Sequence, residues 1–184
     1  MRGQLDVYVG PMYAGKTSKL LQRVLWLSHQ RKKVLVIKPS KDDRYSESEI
    51  VTHNQLSHPC MSVKSTTEFD QDHNVIPEHF DTICLDEAQF FDDGIVDVCS
   101  ILANRGIRVI CAGLDMDYLG NPFGPMPSLL AIAEYVTKVH AICVSCGNLA
   151  QFSYRFSDES GQVLVGSVER YKPLCRSCFN LAVH

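Results

Sequence analysis

Eight residues near the start of the chain have the types and spacing of a phosphate site. Gly10-Pro11-Met12-Tyr13-Ala14-Gly15-Lys16-Thr17 fits the pattern G-x-x-x-x-G-K-[ST] at every required position. The two glycines let the backbone turn tightly and aim its N–H groups inward at a polyphosphate. Lys16 would reach the β- and γ-phosphates, and the Thr17 hydroxyl would help hold Mg²⁺. A chance Gly-rich turn is the alternative reading, and the flanking residues speak against it. Residues 4–9 alternate polar and apolar side chains as a strand does. Ser18 to Gln30 carries Leu20, Leu21, Val24, Leu25 and Leu27 at helical spacing. Strand, loop, helix is the order such a site needs, and the helix N-terminus adds its dipole.

A second chemical signal lies at Phe80-Asp81-Thr82-Ile83-Cys84-Leu85-Asp86-Glu87. A buried strand that ends in Asp is the second half of a P-loop NTPase site, where the carboxylate helps hold Mg²⁺. Successive strand side chains face opposite ways, so an Asp86 turned to the metal leaves Glu87 turned elsewhere, toward an acceptor. A polar strand end capping a helix is the alternative for this pair. A third signal is the doubled C-x-x-C of Cys143-Val144-Ser145-Cys146 and Cys175-Arg176-Ser177-Cys178. Two such pairs read as a structural zinc site with four thiolates and no open position, each pair forming a tight turn. A redox disulfide is the alternative. Cys60, Cys84, Cys99 and Cys111 sit among apolar neighbours and read as inert buried residues.

The remaining elements must position these groups. Residues 33–38 form an apolar run flanked by lysines, a buried parallel strand that completes a first β-α-β unit. The polar loop that follows, with Asp42, Asp43 and Arg44, stands at the strand end where ligands bind in open α/β sheets; solvated loop charges are the other reading. Cys60 to Val63 reads as a short strand, Thr66 to Asp72 as weakly helical and Gly94 to Asn104 as a helix capped by Asp92 or Asp93. Residues 107–114 read as another buried strand that opens into a loop containing Asp115, Tyr118 and Phe123. Phe90, Tyr118 and Phe123 would put aromatic surface near the phosphates, with core packing as the alternative. Pro127 to Glu134 reads as a helix, Tyr135 to Cys143 as a strand, and Phe152 to Phe156 with Val163 to Gly166 as two strands joined by a loop. The expected fold is α/β: a P-loop NTPase-type parallel sheet with helices on both faces over residues 1–140, then a small zinc-ribbon-like β module over residues 141–184 with a substrate-covering loop.

At 184 residues and a formal net charge of -3, the chain has the size of one domain with a small appendage and no basic stripe for nucleic acid. It has no apolar run of membrane-spanning length and no signal peptide, so a soluble cytoplasmic protein is expected.

Several blocks together resemble the type II, zinc-containing thymidine kinases. They are Gly10-Pro11-Met12-x-x-Gly15-Lys16-Thr17, Lys38-Pro39-x-Lys41-Asp42-x-Arg44-Tyr45, Asp86-Glu87-Ala88-Gln89-Phe90-Phe91, Leu114-Asp115, Pro122-Phe123-Gly124 and Tyr171-x-x-x-Cys175-Arg176. The resemblance spans nearly the whole chain, and the Asp-Glu-x-Gln-Phe-Phe block is its most specific part. It implies ATP-dependent phosphorylation of the 5′-hydroxyl of thymidine, or more weakly deoxyuridine, by a homotetramer under feedback inhibition by the end-product triphosphate. It implies Glu87 as general base, and Gly10 to Thr17, Asp42 to Arg44 and Asp86 to Gln89 (Asp86, Glu87, Ala88 and Gln89) as nucleotide contacts. It implies Tyr118, Gln162, Val163, Leu164, Val165, Gly166 and Tyr171 as nucleoside contacts, with Met12, Leu114 and Ser153 near the base. Backbone groups of Val163 to Gly166 would read the thymine edge. Many members carry His where this chain has Cys178, an exchange that keeps a zinc ligand, and Gly where it has Ser167. A P-loop ATPase whose zinc module binds nucleic acid is the competing reading, and a nucleotide sensor with a dead site is a third; the acidic balance opposes the former, and the intact Lys16, Asp86 and Glu87 oppose the latter.

Overall fold

The computed structural model describes residues 3–40, 49–51, 57–69, 79–156 and 170–183. The strands of the main sheet are β1 (Gln4–Val9), β2 (Val34–Pro39), β5 (Met61–Val63), β6 (Thr82–Leu85), β7 (Arg108–Gly113) and β8 (Tyr135–Lys138), in the spatial order β5-β2-β6-β7-β1-β8. Every neighbouring pair is parallel. A short hairpin of β3 (Glu49–Val51) and β4 (Ser57–Pro59) stands outside it.

Period-two alternation decides which face each strand residue serves. Ile83, Leu85, Val109 and Cys111 pack on one face with Ile95, Cys99 and Leu102 of α2 (Gly94–Asn104) and with Met126 and Leu129 of α3 (Met126–Ile132). Cys84, Ile110 and Ala112 pack on the other, under Leu20, Leu21, Val24 and Leu27 of α1 (Lys16–His29). A strand covered on both sides has no polar face to show, which is why β6 and β7 read as continuous apolar runs. The expected α/β sheet with helices on both faces is therefore found. Because all strands run the same way, the residues after β1, β6 and β7 emerge on one edge, where open sheets bind ligands.

The C-terminal module is antiparallel. β9 (Ala141–Ile142) pairs with β10 (Leu149–Ala150), and β11 (Phe152–Arg155) pairs with β12 (Tyr171–Leu174), followed by α4 (Arg176–Val183). Its core is Ala141, Cys143, Ala150, Phe152, Leu174 and Phe179, with the Phe152 and Phe179 rings stacked at 4.3 Å.

One sequence expectation changes here, and two others fall partly outside the described residues. The single strand over Tyr135–Cys143 is two strands in different sheets: β8 closes the parallel sheet beside β1, and after the Val139 N–H bonds to the Val9 carbonyl (2.7 Å) the chain leaves for β9. The partner of β11 is β12, whose Pro173 argues against a strand in sequence yet is tolerated in a two-stranded ribbon; Val163 to Gly166 lie outside the described residues. Of the weakly helical stretch expected over Thr66–Asp72, Thr66–Phe69 form a 3₁₀ turn, and residues 70–72 lie outside the described residues.

Candidate active site

The phosphate loop follows β1 with the backbone its pattern demands. Gly10 has φ 149° and Gly15 φ 78°, and Tyr13 between them also takes a left-handed conformation at φ 65°. A Cβ on Gly10 would sit 2.1 Å from the Val139 carbonyl oxygen, so no other residue fits where the loop crosses the chain after β8. Lys16 opens α1, is buried, and its Nζ donates to the Pro11 carbonyl at 2.8 Å. Thr17 Oγ1 donates to the Asp86 carboxylate, 3.0 Å to Oδ2. The hydroxyl, from the first turn of α1 after β1, and the carboxylate, just after β6, follow two strands separated by β7, so their meeting is a product of the sheet order.

The loop is also tied to the C-terminal module. The Met12 N–H donates to Ser153 Oγ at 2.9 Å, and the Tyr13 hydroxyl donates to the Tyr171 carbonyl at 3.3 Å. Ser153 is buried, so its loss leaves an amide of the phosphate loop without that acceptor. Ser153→Ala is expected to raise KM for ATP by about three- to tenfold, the kinetic equivalent of one neutral hydrogen bond. Steady-state kinetics with ATP varied checks this, and an unchanged KM contradicts it.

After β6 the chain turns sharply. Asp86 is buried, and Glu87 adopts φ 51°, ψ 42°. A left-handed residue other than Gly costs on the order of 1–3 kcal/mol and persists where its surroundings over-determine it. The alternation argument for Glu87 does not hold: β6 ends at Leu85, and the left-handed turn, not the pleat, sets where the Glu87 side chain goes. The Gln89 side chain, 2% exposed, donates from Nε2 to Glu87 Oε2 at 2.5 Å and accepts the Leu114 N–H at Oε1 at 2.9 Å.

The loop after β7 supplies the facing wall. Asp115 pairs with Lys138 at 2.7 Å, and buried Asp117 accepts the N–H groups of Leu119 and Asn121, both at 2.9 Å. These contacts fix Tyr118, whose ring lies 3.5 Å under the buried Arg155 guanidinium. Gly120 passes against Phe152 and Phe179, and Met116 packs on the same cluster, so this loop rests on the C-terminal module. Phe123 is buried and meets Phe90 edge-on at 5.7 Å, while Phe90 and Tyr118 are both half-buried.

Ligand atoms of Cys143, Cys146, Cys175 and Cys178 all lie within 4.8 Å of one another, with Cys146 and Cys175 sulfurs 3.6 Å apart. Tetrahedral Zn–S bonds of about 2.3 Å place sulfurs roughly 3.8 Å apart, so the spacing fits one zinc ion. The first pair stands in a turn, as expected. The second does not: Cys175 precedes α4 and Cys178 lies in its first turn, where i and i+3 share a face. Burial opposes ionisation of Cys143, but N–H groups of Cys175, Ser145 and Cys146 outweigh it and bring the thiol down to about 6. Hydrogen bonding to the Cys146 and Cys175 sulfurs pushes Cys178 up to about 12. Four thiols this close do not all ionise unaided, and a bound dication would supply the missing charge.

A sequence profile of the thymidine kinase family matches residues 3–179. The chain belongs to the thymidine kinase family. It is 50% identical over 178 residues to the thymidine kinase of Bacteroides thetaiotaomicron, covering 97% of this chain and 87% of that one. It is 47% identical to that of Bacteroides fragilis, covering 99% and 89%, and 45% identical to that of a Rhodothermus species, covering 96% and 81%.

For a chain of this family, the described residues bring most of the expected site together. Gly10 to Thr17, Asp86 to Gln89, Leu114 and Tyr118 follow the ends of three parallel strands, and Ser153 and Tyr171 reach the phosphate loop from the C-terminal module. Asp42 to Arg44 and Gln162 to Gly166 lie outside the described residues. Sequence reasoning missed Arg155 beneath Tyr118, because nothing in the spacing of a charged residue in β11 marks it as buried. It also missed the part played by the Gln89 amide, which depends on a backbone N–H in another loop.

Proposed function

We infer that the chain transfers the γ-phosphoryl group of ATP to the 5′-hydroxyl of thymidine, giving dTMP, and acts more weakly on deoxyuridine. The observation that carries this reading is the meeting of Thr17 and Asp86 beside a glycine-built phosphate loop, in a chain of the thymidine kinase family. Phosphoryl transfer needs positioning and charge neutralisation more than covalent work. Lys16 and the loop N–H groups would neutralise the phosphates. Thr17 and Asp86 would hold Mg²⁺, which would supply positive charge to offset that of the phosphates. Glu87 would accept the proton of the attacking hydroxyl. Met12, Leu114, Tyr118, Ser153 and Tyr171 would line the nucleoside side, with Gln162 to Gly166 reading the base and Asp42 to Arg44 contacting nucleotide. The four cysteines would hold a structural zinc ion.

The finer parts of the reading have physical support. A thymidine triphosphate carries both the base that the nucleoside side would take and the phosphates that the loop would take, which suits feedback inhibition. Exposed Tyr135 and Val136 on edge strand β8, and Leu25 and Trp26 on α1, leave apolar surface that a homotetramer would cover. A thiolate zinc cluster suits a reducing cytoplasm; no helix among the described residues is long and apolar enough to cross a membrane. The test is ADP release on adding thymidine and, separately, single-stranded DNA. Thymidine alone is expected to stimulate it; stimulation by DNA alone contradicts the reading.

A further inference from the structure

The left-handed turn after β6 leaves a question of what holds the Glu87 carboxylate in one place. Its backbone is strained and its side chain has three rotatable bonds, so position must come from a partner. Gln89 is one such partner. Its side chain is 2% exposed, and both ends of its amide are engaged: Oε1 accepts the Leu114 N–H at 2.9 Å, and Nε2 donates to Glu87 Oε2 at 2.5 Å.

The polarity of the amide is not free. A backbone N–H can only donate, so the Gln89 oxygen must face Leu114 and the NH₂ must face Glu87. The surroundings are shaped around this arrangement. A Cβ on Gly113 would lie 2.8 Å from Gln89 Oε1, and a Cβ on Gly124 would lie 2.4 Å from the Gln89 carbonyl oxygen. Gly113 at the end of β7 and Gly124 in the loop before α3 thus leave room for one glutamine. A side chain so enclosed has each end of its amide engaged by protein, one N–H with Glu87 and one lone pair with Leu114.

We propose that Gln89 is a positioning residue for the reaction: its amide locks the Glu87 carboxylate against the end of β7, so that the proton acceptor is held in register with the wall contributed by Leu114. The proposal rests on the reading of Glu87 as the acceptor of the 5′-hydroxyl proton. It differs from a nucleotide-contact role, which would act on ATP binding. A 1 Å displacement of a reacting group costs on the order of 10²-fold in rate, so the lock acts on kcat.

The experiment uses the full chain with ATP and thymidine. Gln89→Glu keeps an oxygen for the Leu114 N–H but replaces the NH₂ that faces Glu87 by a second carboxylate. It is expected to lower kcat by about 10²-fold, with KM for ATP within about threefold of the parent, and to cost nothing further when placed in Glu87→Gln. Such non-additivity marks residues that act as a unit. Gln89→Met removes the donor to Glu87 without adding charge, and with it the acceptor of the Leu114 N–H, so it tests the whole lock if Gln89→Glu does not fold. A parent-like kcat, a raised KM for ATP with kcat retained, or losses that multiply in the double variant overturns the proposal. A parent protein that releases no ADP with thymidine instead defeats the functional reading, and the two failures are told apart by the parent alone.

Discussion

Glu87→Gln is expected to lower kcat for thymidine phosphorylation by about 10²-fold or more, the range of a general-base contribution, while ATP binding persists. The amide is nearly isosteric with the carboxylate and can still face Gln89, so the left-handed turn at φ 51° need not change. It cannot take the proton of the 5′-hydroxyl as a carboxylate does. The neighbouring Asp86, which accepts the Thr17 hydroxyl, is untouched, as are Lys16 and the loop amides. The loss therefore falls on the chemical step and spares nucleotide affinity. Single-turnover rates beside a nucleotide-binding titration separate the two. Near-normal turnover in Glu87→Gln would remove it from the reaction.

Loss of a zinc ligand is expected to have an effect of similar size by a different route. Among the described residues, the C-terminal module has a small core of six residues that includes Phe152 and Phe179, and small cores are commonly stapled by a metal. The cysteine cluster joins the turn after β9 to the start of α4 and so closes that core. Binding free energy of a structural ion is folding free energy in such a module. Cys175→Ser is expected to lose the ion, loosen β11 and β12, and release Ser153 and Tyr171 from the phosphate loop. Since both walls of the site depend on the module, kcat/KM for thymidine is expected to fall by about 10²-fold, the scale of a small misplacement of reacting groups. Metal analysis of the parent protein should give about one zinc ion per chain. A metal-free, fully active preparation contradicts this.

What could be read from sequence follows a physical line. β2, β6 and β7 were legible because both faces of the sheet are covered, so each declares itself as an apolar run, while β1 was legible as an alternating strand and α1 as an apolar stripe of leucines and a valine. The phosphate loop was legible because only Gly10 and Gly15 allow its path. The doubled C-x-x-C gave the cysteine cluster, but not that Cys178 belongs to a helix. Elements whose stability comes from distant partners were hidden. β8 and β9 share one alternating run yet serve two sheets, and β12 contains a proline. The conformation of Glu87 and the Gln89 amide escaped for the same reason: β6 stops one residue short of Asp86, and the partner that fixes Gln89 is Leu114, 25 positions away. Local pattern carries no record of such a contact.

The account stands most directly on the ratio of kcat/KM for thymidine to that for deoxycytidine, measured by ADP release with the same preparation. Cytosine presents a donor where thymine presents an acceptor, and an N–H left unpaired in a buried site costs roughly 1–3 kcal/mol, up to about two orders of magnitude. Deoxyuridine, lacking only the methyl group, should lose about 1 kcal/mol. Thymidine first, deoxyuridine second and deoxycytidine far behind is the order expected. Equal kcat/KM values for thymidine and deoxycytidine would contradict it.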